Sequence, residues 1–260
     1  MRNLNGIQKW IDEGRGFKPH LSASKISTFK NDLPSFICRY GLGWKDPYNA
    51  SMNRGNVCER WLVKALLDEV SIKDAVTEAL VEYNNADRHY SDASHNKQLE
   101  YIPKIINNAY EALKDFGKPT FPEQGQEMIE TTLHSGRYNW EAKIIGYLDL
   151  VYPESGLVVD LKTTLRMPSK MSWSHELQWA LYKDAKANHD IKFLYVTHLK
   201  SEVKQPERTK EEILAEAEQM ISKMNFFCWM LSPQQARKAI PIGDNFMWVN
   251  NENKGAYDAD

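Results

Sequence analysis

The run VVDLKTT, Val158 to Thr164, constrains this chain more than any other stretch. Its β-branched residues follow the turn signal PESG and read as a buried strand. That strand nevertheless carries Asp160 and Lys162. Side chains alternate faces along a strand, so Val158, Asp160 and Lys162 share one face and Leu157, Val159 and Leu161 the other. An acid and a base on one face of such a strand are either an ordinary ion pair at its end or half of an active site.

The flanking segments set the fold class. HSGRYNWEAKIIGYLDLVYPESGLVVDLKTT reads as two strands joined at PESG. SWSHELQWALYKDAKANHD reads as a helix capped by Ser174, IKFLYVTHLK as a strand and RTKEEILAEAEQMISKMNFFCWML as a long amphipathic helix. Upstream, Ser24 is placed to cap a short helix holding Ile26 and Phe29 before Pro34. MNRGNVCERWLVKALLDEV suggests a helix starting near Arg54 or Gly55. From Ser71 to Phe116 the chain reads as mostly helical and polar, with YNNADRHYSDASHNK as a loop, and FGKPTFPEQGQ is a breaker. Strand, strand, helix, strand, helix, preceded by helices, predicts an α/β (α+β) core with a mixed sheet. A length of 260 residues suits one large domain, or a domain with an insertion.

Several classes of function are disfavoured. Cys38, Cys58 and Cys228 are an odd number with no CxxC pair, which argues against a zinc ribbon or a disulfide framework and for a reducing compartment. No apolar run is long enough to cross a bilayer, and the first residues lack the apolar stretch of a signal peptide, so a cytoplasmic protein without a membrane partner is expected. The net charge of −2 means that nucleic-acid binding would need local positive charge or a metal. There is no GxxxxGK and no GxSxG, and Cys58 has no evident His partner. HELQW, His175 to Trp179, fails as HExxH because Trp179 stands where the second histidine would be.

An acid two residues before a lysine is common here and means little by itself. It occurs at Glu141/Lys143, Asp184/Lys186, Asp190/Lys192, Glu202/Lys204 and Glu252/Lys254 as well. Asp160/Lys162 differs because Asp149 lies on the preceding predicted strand, across the PESG turn. If those strands pair, two carboxylates converge, an oxygen-rich arrangement that suits Mg²⁺. A lysine beside them could position an attacking water or balance charge on a phosphate. The alternative is a strand-end ion pair and an unrelated turn acid. Glu59 favours the metal reading, because on a helical wheel it shares a face with Leu62, Val63, Leu66 and Val70, and an unpaired charge on an apolar stripe is costly. The bland alternative is an acid near a helix N-terminus turned to solvent. Gln178 and Tyr182, four apart, share a helix face and could contact the end of a nucleic-acid strand, although alone they read as ordinary helix positions.

Together these residues resemble the PD-(D/E)XK nuclease superfamily, in particular its RecB-like branch. That branch includes the iron–sulfur nucleases of CRISPR adaptation, a mitochondrial genome-maintenance exonuclease and many phage exonucleases. The matching elements are RGNVCE with Glu59, GYLDLV with Asp149, VVDLKTT with Asp160 and Lys162, and LQWALY with Gln178 and Tyr182. The opening LSASKISTFKNDLPSFICRY is similar to the branch's Ser-rich N-terminal segment, and the resemblance runs from about Leu21 to Lys200. RecB-like members usually have His where Glu59 stands, whereas Glu there is similar to lambda-exonuclease-like phage enzymes. Iron–sulfur members need four cysteines, one upstream and three near the C-terminus, so no cluster is expected from Cys38 and Cys228.

The resemblance implies a restriction-endonuclease-like core, with a central mixed sheet flanked by helices and a helical N-terminal region. A single nuclease domain over 1–260 is expected, with an N-terminal segment at 1–52, a mainly helical insertion at 71–118 and a catalytic core at 130–231. It implies phosphodiester hydrolysis with Mg²⁺ or Mn²⁺ held by Glu59, Asp149, Asp160 and the Leu161 carbonyl. Lys162 would position the water, and Gln178 and Tyr182 would orient the strand. Thr163, Arg166 and Lys170 are candidate phosphate contacts. Trp173 would stack on a base or belong to the core. The expected partner is DNA, with a recombination or single-strand-binding protein beside it, in the cytoplasm of a bacterial host if the chain is phage-encoded. A site-specific endonuclease and a non-catalytic DNA-binding module of the same fold are the rival readings.

Overall fold

A computed structural model describes residues 2–13, 16–45, 49–86, 93–120 and 126–240. Parts of the expected loop (87–92) and breaker (121–125), and the Trp-containing tail with Glu252/Lys254, lie outside the described residues. The N-terminal region folds into α1 (Asn5–Glu13), α2 (Ala23–Asn31) and α3 (Leu33–Phe36), the last running into a π-helical turn at Ile37–Gly41. Three longer helices follow, α4 (Ala50–Leu66), α5 (Ile72–Asn85) and α6 (His95–Leu113). The strands β1 (Glu127–Ser135), β2 (Trp140–Leu148), β3 (Leu150–Tyr152) and β4 (Leu157–Thr163) lead to α7 (Trp173–Ala185). After it come β5 (Asp190–Val196), β6 (Ser201–Lys204), α8 (Lys210–Met230) and α9 (Pro233–Ala239).

β1 and β2 form an antiparallel hairpin, and β3-β4-β5-β6 form a separate sheet. In the latter β4 and β5 run parallel, with α7 as the crossover between them, while the two outer pairs are antiparallel. The mixed α/β core follows the predicted element order. Alternation along β4 sorts its residues as the sequence suggests. Leu157, Val159 and Leu161 pack with Leu194 and Val196 against α4 and α6. Val158 packs with Ile191, Phe193 and Tyr195 against Tyr182 of α7. Both faces are covered, which explains the near-continuous apolar run.

The element ends differ from the expectations for local reasons. Ser22 rather than Ser24 caps α2, because Leu21 is bridged to Ile144 of β2 and the chain turns helical immediately after it. Asn49 caps α4 by accepting from Ser51 N at 2.9 Å, so the helix starts four or five residues before Arg54 and Gly55. Asp68, in the left-handed region at φ 59°, marks its end, and Val70 falls off the stripe shared by Leu62, Val63 and Leu66. Ser172, not Ser174, caps α7. α5 and α6 extend into the sequence read as a loop, up to Asn85 and from His95. β1 and β6 were not anticipated. Every second residue of β1 is exposed, including Met128, so its alternation carries little hydrophobic signal.

The N-terminal segment is pinned across β2. Leu21 N donates to Lys143 O at 2.9 Å and Ile145 N donates to Leu21 O at 3.0 Å. The buried Lys25 ammonium holds the same segment from behind, donating to His20 O at 2.6 Å and lying 4.1 Å from the Phe17 ring centroid. Burial pulls its pKa down to about 7. The opposite side of the same region depends on Gly146, where an added Cβ would stand 2.8 Å from Cε1 of buried Tyr182. Gly146→Ala should therefore cost about 1–3 kcal/mol of stability through overpacking. A denaturant midpoint unchanged from wild type would contradict this account of how α7 seats on β2.

Candidate active site

β2 stops at Leu148 and β3 begins at Leu150, so Asp149 sits at the break where the chain passes from one sheet to the other. Register puts it beside Asp160, because Leu150 pairs with Val159 in the antiparallel β3–β4 ladder. Asp149 Oδ2 accepts from the Leu161 N–H at 2.9 Å, which fixes the carboxylate against β4. Glu59 reaches the same place from α4. The Gln126 amide, just before β1, donates to Glu59 Oε1 at 2.9 Å and to Asp149 Oδ1.

Asp160 is fully buried, and its Oδ1 lies 2.5 Å from Lys162 Nζ. Lys162 lowers the pKa of Asp160 by its charge and by this contact. The Tyr182 hydroxyl lies close enough to Asp160 to favour its charged form, and it is also hydrogen-bonded to the Tyr147 carbonyl. Burial raises the pKa of Asp160 against the pull of Lys162. Burial raises Glu59, with Asp160 adding to the shift, and pushes Asp149 well above the usual range with help from Asp160 and Glu59. Burial would lower the Lys162 pKa, but Asp160, Asp149 and Glu59 outweigh it and hold the ammonium charged.

The arrangement is short of positive charge. Three carboxylates face one ammonium, and that ammonium is closest to Asp160, the most buried of the three. Oxygen donors of this kind fit a hard divalent cation such as Mg²⁺ or Mn²⁺. Among the described residues no three His, Cys, Asp or Glu side chains are gathered as a ready-made ligand cluster. The Gln126 amide lies between Glu59 and Asp149, and the Lys162 ammonium lies on Asp160.

A cleft of about 430 Å³ opens beside Asp149 and Gln126. Gln178, Tyr182, Ser174 and His175 of α7 form one wall, and Lys18, His20, Ser22 and Ser24 the other. Gln178 Nε2 donates to the Tyr182 hydroxyl at 2.5 Å. Tyr182 is 2% exposed, so its ring backs the cleft while its hydroxyl ties α7 to β2. The structure thus brings together Glu59, Asp149, Asp160, Leu161, Lys162, Gln178 and Tyr182.

The remaining candidates lie apart from this group. Thr163 is engaged by the Arg54 guanidinium, which donates to its carbonyl at 3.2 Å and its hydroxyl at 3.4 Å. Arg166 and Lys170 are exposed on the loop after β4, with Lys170 paired to Glu207 at 3.6 Å. Trp173 faces α2 and α8. The Lys30 ammonium is 4.0 Å from its ring centroid, and its indole N–H donates to Glu216 at 2.6 Å. Gln126, Arg54 and His175 are polar residues of the region that the sequence reading did not select. Only Arg54 carried a signal, as a charge on the buried face of α4 with Cys58 and Leu62.

Residues 20–238 match the PD-(D/E)XK nuclease superfamily. Among solved structures, the crystal structure of SSO0001 aligns over 85% of this chain and 84% of that one, at 12% identity and a TM-score of 0.39. No curated protein gives a significant match.

The raised carboxylate pKa values make metal binding visible in stability. In the metal-free protein these acids keep protons that the unfolded chain has released, so their contribution falls as pH rises through and above the usual carboxylate range. A bound cation removes that penalty. Saturating Mn²⁺ should raise the Tm by several degrees at about pH 8 and by less at about pH 5. Equal shifts at both pH values, or none, would separate these carboxylates from metal binding.

Proposed function

The chain belongs to the PD-(D/E)XK nuclease superfamily, and from that premise we propose a metal-dependent DNA exonuclease. Its substrates would be single-stranded or resected DNA ends in recombination, repair or phage replication. The observation that supports the reading is the gathering of three carboxylates, Asp149, Asp160 and Glu59, around the single Lys162 ammonium, which leaves an excess of negative charge in a largely buried place. A structural ion pair needs one acid for one base; two further carboxylates beside it are costly unless a cation compensates them.

In this reading Glu59, Asp149, Asp160 and the Leu161 carbonyl hold Mg²⁺ or Mn²⁺. When bound, such an ion neutralises charge on the scissile phosphate and makes a water a better nucleophile near neutral pH. Lys162 cannot act as a base while its neighbours keep it protonated. It is therefore a donor, positioning the attacking water and balancing negative charge as the phosphate is attacked. About a fifth of its side chain is exposed (21%), enough for a water to reach it. Gln178 orients the strand from the cleft wall, and Tyr182 acts through it by holding its amide. Thr163, Arg166 and Lys170 would meet phosphates beyond the cleft, and Trp173 would meet a base only if Lys30 left its ring.

The three cysteines are buried thiols, and desolvation drives the Cys38 and Cys58 pKa values up to about 12. The proposal therefore includes no iron–sulfur cluster. It places the activity on one nuclease domain, in which α5 and α6 form a helical insertion. Among the described residues no helix is long and apolar enough to cross a membrane. A cytoplasmic setting, with a recombination or single-strand-binding protein as companion, belongs to the same proposal.

The test is digestion of end-labelled linear DNA and circular single-stranded DNA in Mg²⁺ or Mn²⁺. Linear strands should be shortened and circles spared. Asp160→Asn should lower the rate roughly a hundredfold or more, because a direct ligand should matter more than an outer-shell partner, while DNA binding persists. Cutting of circles at the linear rate would replace the exonuclease with an endonuclease. Binding without cleavage in either metal would favour a non-catalytic DNA-binding module. Full activity in Asp160→Asn would remove the site assignment.

A further inference from the structure

His175 lies in the first turn of α7 and lines the cleft. Its Nδ1 is 2.5 Å from the Tyr195 hydroxyl. Tyr195 stands on β5 in register with Lys162 on β4, so the imidazole and the lysine are neighbours across that strand pair. The Lys162 ammonium also lies 5.5 Å from the ring centroid of Phe193, the residue before the last on the same face of β5.

The hydrogen bond fixes which ring nitrogen carries the proton. Tyr195 is buried, and desolvation, with Asp160 and Glu176 adding to it, raises its pKa, so the phenol keeps its hydrogen. That hydroxyl has one hydrogen to give, and the imidazole is its hydrogen-bond partner. A buried O–H left without an acceptor is costly, so the hydroxyl donates and Nδ1 accepts. Burial and the nearby Lys162 bring the His175 pKa down to about 4, so the ring is neutral near pH 7. A neutral imidazole that accepts at Nδ1 carries its hydrogen on Nε2. Among the described residues Nε2 has no partner, and it is not sealed from solvent.

The cleft therefore meets an N–H rather than a lone pair. A nitrogen in that state cannot ligate a metal; it can only donate to an oxygen. Beside a lysine, in a site for phosphodiesters, the suitable oxygen is a non-bridging oxygen of phosphate. We infer that His175, oriented by Tyr195, is a phosphate-binding residue whose Nε2–H donates to a nucleic-acid strand next to Lys162. The inference rests on the nuclease reading, but its tautomer half does not.

The tautomer can be read in the metal-free protein from imidazole ¹⁵N shifts. Wild type should show Nε2–H, and Tyr195→Phe a mixture of both tautomers. The role can be read from binding of a labelled single-stranded oligonucleotide in EDTA across a salt series. His175→Ala should weaken binding about tenfold, the loss expected for a hydrogen bond to a charged group. The slope of affinity against salt should not change, because a neutral donor displaces no counterion. His175→Gln, which offers an amide N–H, should recover part of the loss and guards against a mere folding defect. An Nδ1–H tautomer in wild type, wild-type binding by His175→Ala, or a salt slope reduced by about one unit would overturn the inference. A wild type that digests DNA normally, with His175→Ala equally active and equally tight, would remove His175 alone. A wild type that neither binds nor cuts DNA would remove the nuclease reading, and the phosphate role with it, even with the Nε2–H tautomer in place.

Discussion

The hydrogen bond from the Leu161 N–H to Asp149 Oδ2 is the contact on which the site depends. It joins the sheet break to the neighbouring strand and brings one buried acid beside another. Two carboxylates held that close would ordinarily repel enough to open the structure. Here the repulsion is offset by Lys162 on Asp160 and by Gln126 between Asp149 and Glu59. Burial still pushes all three acids upward in pKa, and neighbouring carboxylates add to the shift at Asp149 and Glu59. The site retains electrostatic strain, and a divalent cation is the species best suited to relieve it.

The third acid is positioned by a different device. Arg54, 2% exposed, donates to Gln98 of α6 and to Thr163 at the end of β4. Gly55 brings α4 close to the same strand end, since a Cβ there would lie 3.2 Å from Thr163 Oγ1. Glu59 is about one helical turn further along, so docking at Arg54 and Gly55 sets how far its carboxylate reaches toward Asp149. Thr163 thus has a visible structural duty, holding α4 at the strand end that follows Lys162.

What could be read from the sequence follows the range of the forces involved. Strand alternation is local, so the split of β4 into an Asp160/Lys162 face and a Leu157/Val159/Leu161 face was legible, and so was the convergence of Asp149 on Asp160 across one short turn. Glu59 was legible because a charge interrupted an apolar stripe. The same argument applied to Arg54 would have selected it, had the helix been started at Asn49. Gln126 carried no such signal, because a glutamine in a turn-rich stretch has no periodic context. His175 stands out in the sequence only through the failed HELQW motif, because its partner Tyr195 lies twenty residues away on another element. The helix caps were displaced by two residues at α2 and α7 because each offers two serines in sequence. The bridge at Leu21 decides between the first pair.

The division of charge around the cleft bears on how a strand could be held there. Asp149 lines the cleft, with Asp160 and Glu59 close behind, while its walls carry Lys18, His20, Ser22, Ser24 and the α7 donors. A phosphate placed over those acids meets repulsion unless a cation lies between. The chain has no compensating excess of positive charge, its formal net charge being −2. Non-specific attraction of nucleic acid is therefore weak, and affinity has to come from the walls and from whatever cation the carboxylates hold. In the proposed nuclease, cation and strand would bind with positive coupling, each reducing the electrostatic cost of the other. A neutral donor such as His175 would add to that grip without competing for the ion, which a second ammonium in its place would do by repelling it.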